Sequence, residues 1–375
     1  MTSLRILLSV TAALFGLLLA VPIAVAALPF WAVAFLTRVG AQYLEPSYVT
    51  WDQLIEFTPV IGWKPKAHLN AHYLTVCEDG VFHTVTDAQG WPGTASIAES
   101  DIVVFGDSYA FGYGVDVEAS FFSERHRKAC IKAIGAPAYN MVQELLIMQQ
   151  LSSHLGGKLV VWFIFVGNDL HDNLVPDMYQ LRMPFVREFN GTGHWEVVTS
   201  HVSPAHWPYL SARFRDSTHR GRIMANLHSQ TFFAQRAYSA CQFLIEQGRN
   251  ICNRARARLL VMTIPDPQTL RQDQLRYLFT LSAEPRSFDP ALPDKRIGEI
   301  CANLGVSFVS GRDHLDARHY KTFDPHWNEQ GHEQVASLLS SLYDEHIVQK
   351  IRPTRRQINA WPKARGVRRT APAAP

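Results

Sequence analysis

DIVVFGDSYAFGYG, residues 101–114, is the stretch that decides the fold of this chain. Its four apolar residues, Ile102 to Phe105, end abruptly at Gly106, a pattern typical of a short buried strand. Ser108 follows on the turn beyond the carboxyl end of that strand, where open α/β sheets carry their chemistry. We therefore expect an exposed serine on a connection that runs from a strand into a helix.

Strands and helices alternate in the prediction for the rest of the chain. Continuous apolar runs predict buried strands at residues 159–166, 259–264 and 306–309, with a shorter strand at 138–141. Helical patterns cover residues 120–134, 143–155, 237–257 and 294–304. A last amphipathic helix carries Val335, Leu338, Leu339 and Leu342, with Asn328 as its N-cap. This alternation is typical of a parallel sheet between helical layers, a three-layer α/β/α sandwich.

The net charge of +3 conceals a strong asymmetry. Eight basic residues and no acidic one fall in residues 348–375, so the rest of the chain carries about −5. A body of that charge is not expected to bind nucleic acid. We expect the basic segment to be a disordered, solvated tail, with contact to anionic lipid or nucleic acid as the alternative.

Residues 6–36 form an uncharged run of 31 residues, whereas about 20 apolar residues suffice to span a membrane. The run predicts an N-terminal transmembrane anchor over residues 1–40. A cleaved signal peptide is the competing interpretation, because Ala24 and Ala26 make a possible cleavage site. Pro22 and Pro29 also leave open a kinked or two-segment arrangement.

Two irregular regions flank the predicted sheet. Residues 41–100 contain turn signals and short alternating runs, such as 81–85, that predict a few strands capping the main domain. Residues 170–235 have no clean period and predict an insertion over the sheet edge, where Trp195, Trp207 and Tyr209 either pack or stack on a sugar. The five cysteines are scattered and predict no disulfide framework or zinc site.

Three polar clusters follow predicted strands: Ser108, Asn168, and the loop that holds Asp324 and His326. A serine hydroxyl is a poor nucleophile unless a neighbouring base takes its proton and a third group orients that base. Ser108, His326 and Asp324 supply those three roles. An amide such as Asn168 can donate a hydrogen bond to an oxyanion. Their consistent placement after strands predicts nucleophilic catalysis by serine.

A metal site is the alternative for the histidines of this region. His314, His319, His326 and His332 lie near Asp313, but their spacings put no two of them convincingly on one helical face. We expect neither a metal nor an organic cofactor.

The same blocks resemble the SGNH/GDSL hydrolase superfamily of esterases and acyl-transfer enzymes. FGDS at 105–108 with FGYGV at 111–115 resembles the nucleophile block of its bacterial members. GNDL at 167–170, with DN at 172–173, resembles the block whose asparagine lines the oxyanion hole. DPHWN at 324–328 and GH at 331–332 resemble the last block, so the resemblance covers roughly residues 102–347.

The resemblance implies a flavodoxin-like sheet with Ser108 as nucleophile, His326 as base and Asp324 as its partner. It assigns the oxyanion hole to the backbone N–H of Ser108 and to Asn168. Two features depart from the family pattern. The second block usually contains a glycine whose N–H is a third oxyanion donor, but NMVQEL at 140–145 has none. The acid often stands three residues before the histidine, where this chain has Phe323, although relatives with a His-Trp-Asn loop also have it two before.

The expected function is that of a membrane-anchored serine esterase or O-acyltransferase. The resemblance implies an ester substrate, an acetylated glycan or a lipid. An extracytoplasmic site suits such a substrate, although the basic residues on either side of the predicted anchor lean slightly toward a cytoplasmic body. The alternative is a catalytically weak module of the same fold that binds a glycan or a membrane partner, since the glycine is missing and the insertion is large.

Overall fold

The computed structural model describes residues 48–49, 51–74, 80–126, 128–178, 181–204, 217–322 and 324–351. The strands in these ranges are β1 Tyr48–Val49, β2 Ile55–Thr58, β3 Gly62–Pro65, β4 Asn70–Leu74, β5 Val81–Val85, β6 Ile102–Gly106, β7 Ile131–Gly135, β8 Leu159–Phe165, β9 Asp177–Met178, β10 Leu181–Arg182, β11 Phe185–Glu188, β12 Trp195–Val198, β13 Arg258–Ile264 and β14 Ser307–Ser310. The α-helices are α1 Trp51–Leu54, α2 Ser108–Phe111, α3 Met141–Gln150, α4 Asp169–Asp172, α5 Ser217–Leu227, α6 Phe232–Ala255, α7 Gln272–Leu281, α8 Leu292–Leu304 and α9 Glu329–Ile351.

Five strands form one sheet in the order β7-β6-β8-β13-β14. Every neighbouring pair in it is parallel, and Ile102 of β6 lies between Ile131 of β7 and Leu159 of β8. The first of these strands along the chain therefore lies between the second and the third, which is the order of flavodoxin-like sheets. Because the strands are parallel, their carboxyl ends meet at one edge.

Different helices cover the two faces of this sheet. Along β8, Val160, Trp162 and Ile164 enter a core that also holds apolar residues of α3, α6 and α8. Val161 and Phe163 enter a second core with residues of α2 and α9. Burial on both faces explains why β8 is apolar at every position. The prediction of a parallel sheet between helical layers is confirmed.

The helix predicted over residues 120–134 is wrong. Residues 131–135 are β7, preceded by short 3₁₀ turns at 117–119 and 124–126. Ile131 and Ala133 enter the core on the α9 side of the sheet, and Ile134 enters the other core. This alternation has the period of a strand. The charged residue Lys132 interrupts the apolar residues of β7, so the sequence does not show the continuous apolar run of a buried strand.

The short strand predicted at residues 138–141 is also wrong, because this segment starts a helix. The side chain of Asn140 accepts hydrogen bonds from the backbone N–H groups of Val142 and Gln143. The Gln143 side chain accepts one in return from the N–H of Asn140 at 3.1 Å. This reciprocal capping box sets the start of α3 at Met141.

A buried ion pair fastens the predicted cap to the edge of the sheet. Lys132 of β7 has a side chain that is 1% exposed, and its Nζ lies 2.8 Å from Oδ2 of Asp87. The same ammonium donates to the carbonyl oxygen of Pro92 at 3.1 Å. Burial lowers the pKa of Lys132, and the bond to Asp87 opposes that shift. β5, at the predicted run 81–85, pairs with β4 in the same cap.

The predicted insertion at 170–235 contains α4, the short strands β9 to β12 and α5. The long helix predicted from 237 begins earlier, at Phe232, because Oγ1 of Thr231 caps it by accepting from the N–H of Ala234 at 3.1 Å. Trp195 is 5% exposed and donates its indole N–H to the hydroxyl of Ser239 at 3.0 Å. Its packing leaves no open ring face for a sugar, whereas Trp207 and Tyr209 lie outside the described residues.

The predicted membrane anchor, residues 1–40, lies outside the described residues. Within the part of the chain that the structure describes, no helix combines the length and the apolar character that a membrane crossing needs. The tail predicted at 348–375 lies mostly outside as well. α9 continues to Ile351, so residues 348–351 of the predicted tail are helical.

Replacing Asp87 by asparagine tests the ion pair that holds the cap. The amide keeps an oxygen for the backbone N–H groups of Gln89 and Trp91, which Asp87 now accepts. We expect Asp87→Asn to lower the free energy of unfolding by about 3 kcal/mol, because Lys132 is left as a buried charge without its partner. Urea titration of the purified full-length chain measures the change. Asp87→Asn/Lys132→Met should recover most of the loss, and an unchanged single variant would contradict this role.

Candidate active site

The turn after β6 presents Ser108 at the carboxyl edge of the sheet. Asp107 caps α2, because its Oδ1 accepts a hydrogen bond from the backbone N–H of Tyr109 at 3.0 Å. Gly112 closes α2 with a φ of 77°, a left-handed conformation that favours glycine. The sequence predicted an exposed serine, but Ser108 is only 8% exposed, since the imidazole of His326 lies against its hydroxyl.

Gly135, at the end of β7, allows the sheet to pack directly on this turn. A Cβ at Gly135 would come within 2.5 Å of the carbonyl oxygen of Gly106 and within 2.8 Å of that of Asp107. No side chain fits there. Gly135 therefore leaves room beneath the turn that carries the serine.

The structure brings Ser108, His326 and Asp324 together. Nε2 of His326 lies 2.7 Å from Oγ of Ser108. Nδ1 of the same imidazole is hydrogen-bonded to Oδ1 of Asp324. Oδ1 also accepts the backbone N–H of His326 at 2.9 Å. The three side chains therefore form one continuous hydrogen-bonded array in the order that a base-activated serine needs.

The charge of Asp324 fixes the proton on the imidazole. Burial alone would raise the pKa of this carboxyl, but the charge of His326 and the hydrogen bonds from His326 outweigh burial and lower the pKa below its usual value. Asp324 is thus a carboxylate and can only accept. Nδ1 must then donate, so in the neutral imidazole Nε2 is the nitrogen that accepts the hydroxyl proton of Ser108.

The loop that carries His326 is tied down on both sides. Tyr320 and Trp327 form a bridge across it, and the N–H of Lys321 donates to the carbonyl oxygen of His326 at 3.0 Å. Asn328 caps α9, as predicted, by accepting the N–H of Gly331 at 3.0 Å. The guanidinium of Arg271 donates to the carbonyl oxygen of Lys321 at 2.6 Å. The imidazole is thereby held by its backbone as well as by Asp324.

Asn168 follows β8, the strand next to β6, so it lies at the same edge as Ser108. In the register of the two strands, Phe105 is opposite Trp162. Asn168 occupies the N-cap of α4 without making a side-chain cap bond. The N–H of Ser108 opens α2, at the helix end whose N–H groups lack an intrahelical acceptor. An amide and a free backbone N–H are the groups that an oxyanion hole uses.

The second block, where the family glycine is missing, uses its backbone N–H groups for other purposes. The N–H of Asn140 and those of Val142 and Gln143 belong to the capping box of α3. The N–H of Met141 donates to Oδ1 of Asn173 at 3.0 Å. These four groups are therefore unavailable to an oxyanion in this conformation, which leaves Ser108 and Asn168 as the donors that the motifs predict.

Two tyrosines that sequence reasoning missed enclose the imidazole. The ring centroids of Tyr109 and Tyr113 lie 5.1 and 4.9 Å from that of His326. The hydroxyl of Tyr109 donates to the carbonyl oxygen of Pro325 at 2.5 Å, which ties the serine turn to the histidine loop. Both residues belong to the quoted stretch 101–114, but nothing in it signals a contact with a loop more than 200 residues away.

Several carboxyl groups are buried at this edge. Asp107 and Asp169 accept hydrogen bonds from backbone N–H groups, Asp107 from Tyr109 at 3.0 Å and Asp169 from Phe165 at 2.8 Å. Glu144 accepts the indole N–H of Trp162 at 2.6 Å. Burial raises the pKa of Asp169 and of Glu144 well above the usual range, and the nearby charge of Asp107 adds to both shifts.

The remaining histidines of the last block do not converge. His332 is buried, stacks on Phe121 and accepts that residue's backbone N–H at 3.3 Å on Nδ1. Burial lowers the pKa of His332 to about 3, so this ring is neutral. Among the described residues, no group of three or more His, Cys, Asp or Glu side chains has an arrangement that would hold a metal ion.

No protein-family model and no curated protein sequence matches the chain. Among solved structures, it is similar to a GDSL-like lipase from Bacteroides thetaiotaomicron, with 10% identity over 68% of this chain and 92% of that one and a TM-score of 0.36. It is also similar to a carbohydrate acetylesterase from Sinorhizobium meliloti, with 12% identity over 65% and 98% of the chains and a TM-score of 0.35. Few residues are identical in either pair, so the chemistry of this site is argued from its own residues.

The carboxyl of Asp107 makes stability depend on pH. Burial raises its pKa to about 6, against the opposing effects of the Tyr109 N–H and the charge of His326. Below about pH 3 the group is largely protonated in both the folded and the unfolded chain and does not lower the free energy of unfolding. As the pH rises from there to about 6, the unfolded chain loses its proton first, so folding becomes less favourable.

We therefore expect Asp107→Asn, which keeps the capping oxygen, to be more stable than the wild type at pH 8 and to lose most of that advantage at pH 4. Urea titrations of the full-length chain at both values measure the difference. Asp273→Asn, at an exposed position of α7, is the control and should show no such dependence. An Asp107→Asn variant that is less stable at pH 8 would refute the assignment.

Proposed function

We propose that this chain is a serine hydrolase of the SGNH/GDSL type that acts on ester bonds. The single observation that carries the proposal is the hydrogen-bonded array from Ser108 through His326 to Asp324. Its parts have the roles that acyl transfer needs: a hydroxyl on a capped turn, an imidazole with its accepting nitrogen on that hydroxyl, and an ionised carboxylate behind it.

The reaction proceeds in two halves. Oγ of Ser108 attacks the carbonyl carbon of the ester while Nε2 of His326 takes its proton, and Asp324 stabilises the imidazolium that forms. The negative charge on the former carbonyl oxygen is held by the N–H of Ser108 and the amide of Asn168. The carbon–oxygen bond to the alcohol then breaks, and His326 returns the proton to the departing oxygen.

An acyl group now remains on Ser108. Water, activated by His326 in the same way, releases it as a carboxylic acid, or a second hydroxyl accepts it in an O-acyltransfer. We propose an acetylated glycan or a lipid ester as substrate, the class that the motif resemblance implies. The residues in this scheme need no metal or organic cofactor, because the charge that develops is met by hydrogen-bond donors.

Labelling with a serine-directed fluorophosphonate tests the function. We expect the full-length chain to be labelled and to hydrolyse a fluorogenic short-chain ester, and we expect Ser108→Ala to lose both activities. Ser340→Ala is the matched control: Ser340 is also a buried serine, but its hydroxyl donates to the carbonyl oxygen of Ala336 on α9. Labelling that survives in Ser108→Ala would refute the nucleophile.

A second candidate function is favoured by the second block. Its N–H groups are committed to the cap of α3 and to Asn173, and each missing oxyanion donor costs about 3 kcal/mol of the barrier, a few hundredfold in rate. The chain would then be a binding module of the same fold for a glycan or a membrane partner. Absence of both labelling and hydrolysis in the wild type would select this alternative.

We also propose that residues 1–40 anchor the chain in a membrane and that the site faces the extracytoplasmic side. The uncharged run of 31 residues supports an anchor, and an ester of a glycan suits that side. Alkaline carbonate should leave the full-length chain in the membrane fraction, and protease added outside sealed right-side-out vesicles should digest the body. Release by carbonate, or protection from the protease, would contradict the corresponding half of the proposal.

A further inference from the structure

The β4–β5 hairpin of the cap contacts both loops of the candidate active site. Tyr73 of β4 and Phe82 of β5 are direct cross-strand partners, and their ring centroids lie 6.2 Å apart. Tyr73 contacts the turn that carries Ser108, and Phe82 contacts the loop that carries His326. A single pair of neighbouring side chains, the Tyr73–Phe82 pair, therefore touches two segments that are more than 200 residues apart in the sequence.

Tyr73 acts on the serine side. It is fully buried, and its hydroxyl accepts a hydrogen bond from the backbone N–H of Gly114 at 2.7 Å. Its ring lies 5.5 Å from the ring of Tyr113, centroid to centroid. Tyr113 in turn lies against His326. The hydroxyl and the ring of Tyr73 thus set the position of the aromatic wall beside the imidazole.

Phe82 acts on the histidine side. Nζ of Lys321 lies 4.1 Å from the centroid of the Phe82 ring, within the range of a cation–π contact. The backbone N–H of Lys321 donates to the carbonyl oxygen of His326. Lys321 also reaches the serine side, because a Cβ at Gly114 would come within 2.6 Å of its Nζ. The two loops meet where the hairpin covers them.

The hairpin itself is fixed to the chain that follows Ser108. The backbone N–H of His83, the neighbour of Phe82, donates to Oδ1 of Asp116 at 2.7 Å. The imidazole of His83 is hydrogen-bonded to Asn70 on the opposite strand at 2.8 Å. Phe82 is therefore held in register with Tyr73 by contacts that do not involve the histidine loop.

We propose that the Tyr73–Phe82 pair is a positioning element for the reaction, which sets the separation between Ser108 and His326. The proposal rests on the hydrolase function proposed above. Proton transfer from the serine to the imidazole requires a hydrogen bond of about 2.6–3.2 Å, and a misplacement of about 1 Å costs on the order of a hundredfold in rate. The cap is on this account part of the active site.

Two variants remove one contact each. Tyr73→Phe keeps the ring but loses the oxygen that accepts the N–H of Gly114, and Phe82→Leu keeps an apolar side chain but loses the aromatic face under Lys321. We expect each to lower the maximal rate of fluorophosphonate labelling by about tenfold to a hundredfold. The probe concentration for half-maximal labelling should stay nearly constant, because the site still binds the probe.

Two controls separate positioning from general damage to the fold. Phe82→Tyr retains the ring and should label at nearly the wild-type rate. His72→Gln changes an exposed residue of β4, next to Tyr73, and should leave the rate unchanged. Equal rates in Tyr73→Phe, Phe82→Leu and the wild type would overturn the proposal, as would a Phe82→Tyr variant as slow as Phe82→Leu.

A second readout does not depend on turnover. In a full-length chain with ¹³C-labelled histidine, the His326 signal is assigned by its absence in His326→Gln. We expect it to shift in Tyr73→Phe and in Phe82→Leu but not in His72→Gln. If the wild type is not labelled at all, the hydrolase function fails, and this signal still decides the positioning: an unchanged His326 signal in both variants overturns it.

Discussion

The hydrogen bond between Ser108 and His326 joins residues that are 218 positions apart, and it depends on the way the chain folds between them. The serine is placed by β6, an inner strand of the sheet, and the imidazole by the loop before α9. Both elements are packed into the hydrophobic cores and are held there. β6 contributes side chains to the cores on both faces of the sheet, and α9 packs into one of these cores. The sandwich thus brings the two side chains to one edge of the sheet, where Nε2 of His326 and Oγ of Ser108 lie 2.7 Å apart.

The pKa values of the buried acidic groups at this edge are shifted in opposite directions. Asp324 keeps a low pKa because His326 supplies both a charge and hydrogen bonds. For Asp107, Glu144 and Asp169, burial is the largest effect, and it raises the pKa of each carboxyl. One carboxylate beside the imidazole is therefore ionised, while burial disfavours the charge on the others. This difference gives Asp324, rather than any nearby acid, the electrostatic role toward His326.

The central strands could be predicted from the sequence because a strand that is buried on both faces is a continuous run of apolar residues. β8 is apolar throughout, and the observed bounds of β8 and β13 fall within one residue of the prediction. β7 could not be predicted, since Lys132 is tolerated there through an ion pair with Asp87, which lies 45 positions earlier in the chain. Asn140 and Gln143, three residues apart, do form the capping-box pattern of a helix start, so the beginning of α3 is readable from the sequence.

The residues of the candidate active site could likewise be predicted only in part. Ser108, Asn168, Asp324 and His326 could be named because each belongs to a short motif after a predicted strand. Tyr73, Phe82 and Tyr113 could not, because their importance comes only from contacts between distant segments. The low exposure of Ser108 has the same origin, since the imidazole that covers it arrives from the far end of the domain.

The most direct test of this account is a crystal structure of the full-length chain after reaction with a fluorophosphonate. The account predicts a bond from phosphorus to Oγ of Ser108, with the phosphoryl oxygen at about 2.7–3.1 Å from both the backbone N–H of Ser108 and the amide nitrogen of Asn168. A phosphonate attached to another residue, or a phosphoryl oxygen turned away from both donors, would contradict it.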